Sequence, residues 1–301
     1  MIGHILVATD LSPHADVAQS RAVALAAREG ARLTLLHVSV AATSVPAMAE
    51  VESAAALELA AVAAELEREV AAQLDERAAW ARAAGVEPAT ETRHGHPDEV
   101  IVQVADELGV DLLVIGTHGR TGLTRFLLGS VAEHIVRRAG CDVLVARGPA
   151  ADGVFHKALV ATDFSPSSAQ SLEAALVLSD GPIDLVHAWQ YPVGTWGMHV
   201  LADRTPAMQT LREALVTGAE QKGAELVRTY ADRGRPMHFH IEQGPSANVV
   251  TELADKGRYD LIALGTHGYR GFRRFLLGSV AEAVVRHAHC SVLVTHAPRG
   301  A

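Results

Sequence analysis

The sequence is poor in aromatic residues and in cysteine. Phe, Trp and Tyr together make up 4% of the 301 residues, and there are two cysteines. Two cysteines in a chain of this length do not form a disulfide framework, which favours a reducing, cytoplasmic environment. Because hydrophobic residues still reach 49%, the core must consist mainly of Val, Leu, Ile and Ala. This composition is typical of buried parallel sheets.

Long apolar runs and excess positive charge are also missing. No apolar stretch reaches membrane-spanning length, and the formal net charge is −9. We therefore expect no membrane partner and no nucleic-acid partner, since nucleic-acid binding depends on Lys and Arg neutralising phosphates. The first residues, Met1–Val7, read directly as a strand without a charged leader, so no secretion signal is expected.

Several catalytic and metal-binding motifs are absent as well. The sequence has neither Gly-x4-Gly-Lys-[Ser/Thr] nor His-Glu-x-x-His, which argues against a classical P-loop ATPase and a zinc protease. The pairs His94-x-His96 and His238-x-His240 do not recur as a ligand set in the other half of the chain. We therefore predict no metal site built from these histidines.

One pattern is written twice, about 150 residues apart. Val7-Ala-Thr-Asp-Leu-Ser-Pro13 returns as Val160-Ala-Thr-Asp-Phe-Ser-Pro166. The nine residues Arg125–Glu133 return as an identical sequence at Arg274–Glu282. A repeat of this length is a whole domain, because the units of solenoid proteins are several times shorter. The predicted domains are 1–148 and 154–298, with a Gly- and Pro-containing linker between them.

Each half alternates strands with helices. Strands are predicted at 4–9, 31–38, 89–93, 111–116 and 142–147, then at 156–162, 182–188, 237–242, 260–265 and 291–295. Helices are predicted at 13–29, 50–84, 97–108 and 129–138, then at 166–179, 205–233, 245–257 and 278–288. Such alternation implies right-handed crossovers and a doubly wound parallel sheet. Ser12-Pro13 suits the first helix start, with a hydroxyl cap, and helix 50–84 is expected to pack its apolar side on the sheet.

Two glycine-rich loops each lead into a helix. Gly116-Thr-His-Gly119 is followed by Gly129-Ser130, and Gly265-Thr-His-Gly268 is followed by Gly278-Ser279. Glycine lets backbone N–H groups approach an anion closely, and a helix N-terminus adds partial positive charge. The loops therefore indicate phosphate binding.

The predicted topology brings these loops to one acidic residue in each half. In a sheet of order 3-2-1-4-5 the strand order reverses between strands one and four, and ligands bind at that crevice. Asp10 ends the first strand and Gly116 ends the fourth; Asp163 and Gly265 stand in the same relation. The alternative interpretation is local: Asp10 would cap its own turn, and the glycines would serve only the turns.

Each residue at the crevice suggests a chemical role. Asp10 is an acceptor for a ribose hydroxyl or an adenine amino group, and Val38 would cover one face of the base. Backbone N–H groups at the start of the fourth helix, together with the side chains of His118 and Arg120, would donate to phosphate oxygens.

The pattern Gly-x2-Gly-x9-Gly-Ser, with the early Ala-Thr-Asp and the late Val-Leu-Val strand, resembles the nucleotide-binding branch of the universal stress protein family. The resemblance covers both halves and implies ATP, with Mg²⁺ on its phosphates. In the first half it assigns binding to Ala8, Asp10, Val38, Gly116, Gly119, Gly129, Ser130 and Val131. In the second half it assigns Ala161, Asp163, Ala188, Gly265, Gly268, Gly278, Ser279 and Val280. Thr9, His118, Arg120, Thr162 and His267, in the same motifs, are further candidate site residues.

The resemblance also implies that the last strands of the two halves pair. The fold class expected is thus two repeated doubly wound parallel five-stranded sheets of order 3-2-1-4-5, joined as an intrachain pseudo-dimer. Association of two chains into a homodimer is a further possibility.

Three functions are compatible with these observations. The leading one is an ATP-binding stress-response regulator with one nucleotide site per half and an unknown protein partner. The second is a slow ATPase or phosphotransferase; no residue is obviously placed to orient an attacking water, so hydrolysis would be weak at most. The third is an interaction module with a vestigial nucleotide site. Ala188 and Tyr269 in place of Val38 and Arg120 make the second site the weaker prediction.

Overall fold

The computed structural model describes residues 2–40, 53–117, 128–148, 154–191, 205–266 and 277–296. The chain divides into two compact units between Gly153 and Val154. The first unit runs β1 (His4–Thr9), α1 (Asp16–Glu29), β2 (Arg32–Ser39), α2 (Ser53–Ala83), β3 (Pro88–His94), α3 (Pro97–Glu107), β4 (Leu112–Gly116), α4 (Ser130–Arg138) and β5 (Asp142–Ala146). The second runs β6 (Ala158–Ala161), α5 (Pro166–Leu178), β7 (Ile183–Trp189), α6 (Pro206–Thr229), β8 (Met237–Gln243), α7 (Ser246–Lys256), β9 (Leu261–Gly265), α8 (Ser279–His287) and β10 (Ser291–Thr295).

Each unit contains a parallel five-stranded sheet. In the first unit the order is β3-β2-β1-β4-β5, and every neighbouring pair is parallel. In the second the order is β8-β7-β6-β9-β10, which is the same arrangement when strands are counted within the unit. The predicted doubly wound fold with strand order 3-2-1-4-5 is therefore confirmed.

The central strands are apolar because helices cover both faces of each sheet. Ile5, Leu6 and Val7 of β1 are fully buried, as are Leu113 and Val114 of the adjacent β4. A strand buried on both faces cannot alternate apolar and polar residues, which explains these continuous runs. The polar residues that follow the strands then lie at the carboxyl ends of the sheet, where the crevice forms.

The start of the first helix differs from the prediction. Pro13–Ala15 forms a 3-10 turn before α1, and the Ser12 side chain makes no capping bond to it. Instead the Ser12 hydroxyl donates to Asp10 Oδ1 at 2.7 Å. The hydroxyl cap predicted here is wrong, although in the second half Ser165 Oγ does accept from the backbone N–H of Ser168.

Helix α2 also packs differently from expectation. Leu74, near its carboxyl end, is buried, but Val62 and Leu66 expose 57% and 61% of their surface. The prediction that the apolar side of this helix packs on the sheet is wrong for these two residues. The middle of α2, between Ala63 and Gln73, borders a cleft that is described below, and Leu66 is one of its lining residues.

A polar cluster lies in the second unit where β7 begins, at the end of the sheet away from the carboxyl ends of the strands. Asp184, at the start of β7, accepts a short hydrogen bond from the Tyr259 hydroxyl and one of 2.8 Å from His238 Nδ1. Burial alone would raise the pKa of Asp184, but these hydrogen bonds and the nearby His240 hold it below its usual value. Burial and the Asp184 contact raise the pKa of Tyr259, which keeps this donor protonated.

This cluster predicts acid sensitivity. A carboxylate whose pKa is depressed in the folded state stabilises that state above its unfolded pKa, and the contribution is lost as pH falls through the folded pKa. Asp184→Asn should therefore destabilise the protein at pH 7 by about 1–3 kcal/mol. Urea unfolding from pH 7 down to pH 3 should show the difference from wild type shrinking below about pH 4. Asp232→Asn, at an exposed position, is the matched control; a constant Asp184→Asn deficit at every pH would contradict the assignment.

Two glycines in α6 differ in how closely the helix packs on the sheet, and this difference can be tested by substitution. A Cβ at Gly223 would lie 2.3 Å from the Phe239 ring, whereas a Cβ at Gly218 would meet nothing within 4 Å. Gly223→Ala should cost about 1–3 kcal/mol by overpacking. Gly218→Ala should stabilise by about 0.5–1 kcal/mol through helix propensity alone. Equal effects of the two substitutions on the urea midpoint would show that Phe239 does not pack against α6.

Candidate functional site

The carboxyl ends of β1, β2 and β4 open into a cleft in the first unit. Its volume is about 1430 Å³, larger than the roughly 300–1,000 Å³ of typical small-molecule sites. Strand β1 lies between β2 and β4, so the cleft lies where the strand order reverses. Its wall includes these residues predicted from sequence: Ala8, Thr9, Asp10, Val38, Gly116, Gly129, Ser130 and Val131.

The two oxygens of Asp10 are in different situations. Oδ1 accepts from the backbone N–H of Ser12 at 3.1 Å and from the Ser12 hydroxyl. Oδ2 is buried and has no hydrogen-bond partner among the described residues. Capping of the local turn thus accounts for only one oxygen. A buried carboxylate oxygen without a donor is costly, so a ligand donor at this position would be stabilising.

The turn that carries Asp10 is held in an unusual backbone conformation. Leu11 has φ of +64°, and its counterpart Phe164 in the second unit has φ of +63°. This left-handed region costs a residue with a side chain on the order of 1–3 kcal/mol. The Leu11 N–H donates to Thr9 Oγ1 at 3.0 Å, and the Phe164 N–H donates to Thr162 Oγ1 at the same distance. The conformation turns the chain sharply at the end of the first strand in both units.

His37 contributes to the cleft and was not predicted as a site residue. Its Nδ1 donates to the Thr9 carbonyl at 2.9 Å, and His187 Nδ1 donates to the Thr162 carbonyl at 2.9 Å. A carbonyl can only accept, so the proton lies on Nδ1 and Nε2 of the neutral ring is an acceptor. The repetition of Leu-x-His in both halves was the available signal, but no chemical role followed from it without the contact.

The other end of the cleft is a helix N-terminus. Helix α4 begins after Gly129, whose carbonyl accepts from the Glu133 N–H, and among the residues that the structure describes no side chain caps it. The N–H groups of Ser130 and Val131 therefore have no partner within the helix. Both residues are exposed, so these donors and the partial positive charge of the helix are accessible to an anion. Helix α8 begins in the same way after Gly278.

Packing accounts for glycine at these helix starts whatever the ligand. Gly129 N–H donates to the Thr117 carbonyl at 3.0 Å, and Gly278 N–H donates to the Thr266 carbonyl at 2.8 Å. A Cβ would approach the same carbonyl oxygens to 3.3 Å at Gly129 and to 2.9 Å at Gly278. The glycines thus bring the helix start close to the end of the neighbouring strand.

The structure describes some of the predicted positions and not others. Val38 and Ala188 lie within β2 and β7, in agreement with the predicted strands 31–38 and 182–188. The predicted loop residues His118, Gly119, Arg120, His267 and Gly268 lie outside the described residues.

The remaining predicted residues of the second unit occupy equivalent strand and helix ends. Ala161 ends β6 and Thr162 and Asp163 follow it. Gly265 ends β9. Gly278 is the N-cap of α8, and Ser279 and Val280 are its first residues. Asp163 Oδ1 accepts from the Ser165 N–H at 3.0 Å, as Asp10 does from Ser12. A Cβ at Gly265 would lie 2.2 Å from Ser167 Oγ, so this strand end is in close contact with α5.

Neither a protein-built metal site nor a membrane span is found in the described parts of the chain. Within them, no group of three or more His, Cys, Asp or Glu residues could hold a metal ion. No helix in the same ranges has the length and apolar character needed to cross a membrane.

Comparison with known proteins gives the same family for both halves. The model of the universal stress protein family matches residues 1–147 and 155–296. Universal stress protein MJ0531 of Methanocaldococcus jannaschii is 42% identical over 26% of this chain, and universal stress protein Rv2005c of Mycobacterium tuberculosis is 31% identical over 66%. These matches span 47% and 65% of the relatives' own lengths. A universal stress protein from Archaeoglobus fulgidus has a similar fold, with a TM-score of 0.62 at 21% identity over 99% of this chain and 97% of its own.

The two helix starts predict unequal responses to the same substitution. Gly278→Ala forces a Cβ to 2.9 Å from a backbone oxygen, whereas Gly129→Ala reaches only 3.3 Å. The N-cap change is common to both variants, so the difference between them reports the contact. Gly278→Ala should lose about 1 kcal/mol more unfolding free energy than Gly129→Ala, measured by urea denaturation. The reverse order would contradict the described geometry.

Proposed function

Because the chain belongs to the universal stress protein family in both of its halves, we propose that it is an ATP-binding regulatory protein of the stress response. The proposal includes Mg²⁺ carried on the ATP phosphates, action in the cytoplasm, and a protein partner that distinguishes the ATP-bound from the free state. The observation that carries it is the cleft that Asp10 and the start of α4 both line: among the described residues, the buried Oδ2 of Asp10 has no hydrogen-bond partner and no side chain caps the helix.

The nucleoside would bind at the Asp10 end of the cleft. Asp10 Oδ2 and His37 Nε2 are both acceptors, and ribose hydroxyls and the adenine amino group are donors. Val38, Leu36 and Ile101 supply an apolar wall for the base. Acceptors beside an apolar wall are a suitable environment for a nucleoside and a poor one for a phosphate, because the carboxylate would repel it.

The phosphates would bind at the helix end of the cleft. The N–H groups of Ser130 and Val131 and the Ser130 hydroxyl are the donors there, and Gly129 brings them close to the end of β4. Gly116, His118, Gly119 and Arg120 complete the proposed loop. Mg²⁺ commonly binds nucleotide phosphates and retains several waters, so it would need few protein ligands.

Binding rather than turnover is the proposed activity. One oxygen of Asp10 is held by Ser12, and the other lies buried at the proposed nucleoside position. Asp10 is therefore poorly placed to act as a base on water at the γ-phosphate. ATP would act through the free energy of its binding, which stabilises the conformation that it fits and shifts the population toward it.

Asp10→Asn tests the nucleoside position without removing the turn. The Asn carbonyl oxygen can still accept from Ser12, while its amide nitrogen places a donor where Oδ2 is an acceptor. ATP affinity, measured by calorimetry with Mg²⁺ present, should fall about 10- to 100-fold. Asp232→Asn, at an exposed position, should leave the affinity unchanged. Wild-type affinity in Asp10→Asn protein would contradict the proposed nucleoside position.

The nucleotide class can be tested directly on purified protein. Denaturing the protein as isolated and separating the released small molecules should yield ATP or ADP. Incubation with Mg·ATP should yield little ADP over many hours, since hydrolysis is weak at most. Absence of detectable binding in both the release and the calorimetry experiments would refute the proposed function.

A further inference from the structure

The amino-terminal half of α2 presents an exposed apolar row. Val62 and Leu66 expose 57% and 61% of their surface, and Val70, one turn further along, is half-buried. Their four-residue spacing places all three on one side of the helix, over about 12 Å of its length. Val62, Leu66 and Val70 are called the α2 stripe below. Exposed apolar residues that form a row on one helix face, instead of being scattered, indicate an interaction surface.

Two small polar residues of the sheet explain why this half of α2 is not buried. Thr92 pairs with His37, and Ser39 lies two residues beyond His37, so Ser39 and Thr92 face the same side of the sheet. Both line the cleft together with Leu66 and Val70 of α2. Neither Ser39 nor Thr92 offers a large apolar surface against which this part of the helix could pack.

The second unit shows how the equivalent helix packs when these two positions are apolar. The counterparts of the two polar residues are Trp189 and Ile241, identified by the strand register and by a shared backbone contact to the following glycine. Trp189, Tyr191 and Met208 form a buried cluster. Ile241 packs against this cluster with further residues of α6: Leu211, Leu215 and Val216. The amino-terminal part of α6 is thus packed on its own sheet, whereas two of the three residues of the α2 stripe are exposed.

Carboxylates border the α2 stripe. At 100° per residue, Glu58, Glu65 and Glu69 fall along one side of it, and all three are exposed. The sequence from 53 to 73 contains four glutamates and one basic residue, Arg68, which pairs with Glu65 at 3.1 Å. An apolar row bordered by negative charge is complementary to a helix whose own apolar row is bordered by Lys or Arg.

The same charges argue against other occupants of the α2 stripe. A second copy of this chain would bring its own glutamates against those of the first, and like charges in an interface are unfavourable. The anionic surface of a membrane would be repelled in the same way. A basic segment is the one of these three that the glutamates attract.

We propose that the α2 stripe docks a basic amphipathic helix of a protein partner. Apolar residues of that helix, spaced four apart, would cover the stripe, and its Lys or Arg side chains would lie beside Glu65 and Glu69. The inference rests on the proposed function, because it gives the chemistry of the partner proposed there. Leu66 and Val70 also line the cleft that contains Asp10, so a helix docked on the stripe would lie beside the proposed nucleotide site.

Peptide binding to the full chain, without nucleotide, tests this surface. The probe is a fluorescent helical peptide with Leu at every fourth position and Lys beside each Leu. Its controls are a peptide of the same composition in scrambled order and one with Glu in place of Lys. Fluorescence anisotropy should show binding of the basic amphipathic peptide alone. The double variant Glu65→Lys, Glu69→Lys should weaken that binding at least about 10-fold, and Leu66→Gln, which keeps helix propensity, should also weaken it. Glu225→Lys, at an exposed position of α6, is the matched control and should bind the peptide as wild type does.

Several results would overturn the inference. One is equal binding of the basic, scrambled and acidic peptides; another is wild-type affinity in the α2 variants, whose fold is checked by circular dichroism. A dimer in sedimentation velocity that dissociates in Leu66→Gln protein, or cosedimentation of the wild type with phosphatidylglycerol vesicles, would assign the stripe to another occupant. The two proposals fail separately: ATP binding without peptide binding refutes the docking surface, and peptide binding without ATP binding refutes the proposed function.

Discussion

The hydrogen bond between a histidine ring and a backbone carbonyl at the carboxyl end of the first strand organises both units. His37 reaches Thr9 from the neighbouring strand, and His187 reaches Thr162 in the same way. This contact ties the ends of two strands together where the chain turns through the left-handed conformation of Leu11 or Phe164. The turn in each unit places an aspartate at the crevice. Without that anchor a strained turn would relax, and the aspartate would not be held at the crevice.

Duplication preserved this backbone framework and changed what surrounds it. Strand order, the turn after strand one and the glycine before the last helix recur in both units. These features depend on backbone hydrogen bonds and on the absence of a Cβ, so few side chains can replace them. The walls of the crevice depend only on side-chain volume, which substitution changes freely while the fold persists. Ser39 and Trp189, whose carbonyls accept from the N–H groups of Gly95 and Gly244, occupy equivalent backbone positions, yet Ser39 lines the cleft and Trp189 is buried against α6.

Sequence patterns predicted the fold well because periodicity and repetition reflect the backbone. They failed at Ser12, where two hydrogen bonds compete for one hydroxyl, and along α2, where burial depends on a neighbouring element. Ser12 has the residue type of a helix cap, yet its hydroxyl donates to Asp10, because the carboxylate is the stronger acceptor. Val62 and Leu66 have helical spacing that indicates a buried face, but periodicity does not reveal whether a neighbouring element fills the space beside that face.

The amino-acid sequence by itself determined the two-domain organisation, the parallel sheets with their strand order, and the meeting of Asp10 with the glycine-rich helix start. Those follow from hydrophobic pattern, turn residues and the handedness of crossovers, all of which are local or topological. Only the tertiary structure decided that one oxygen of Asp10 has no hydrogen-bond partner among the described residues and that His37 borders the cleft. These depend on how side chains pack and which hydrogen bonds they make once distant strands lie side by side, and no spacing rule in a linear sequence specifies such contacts.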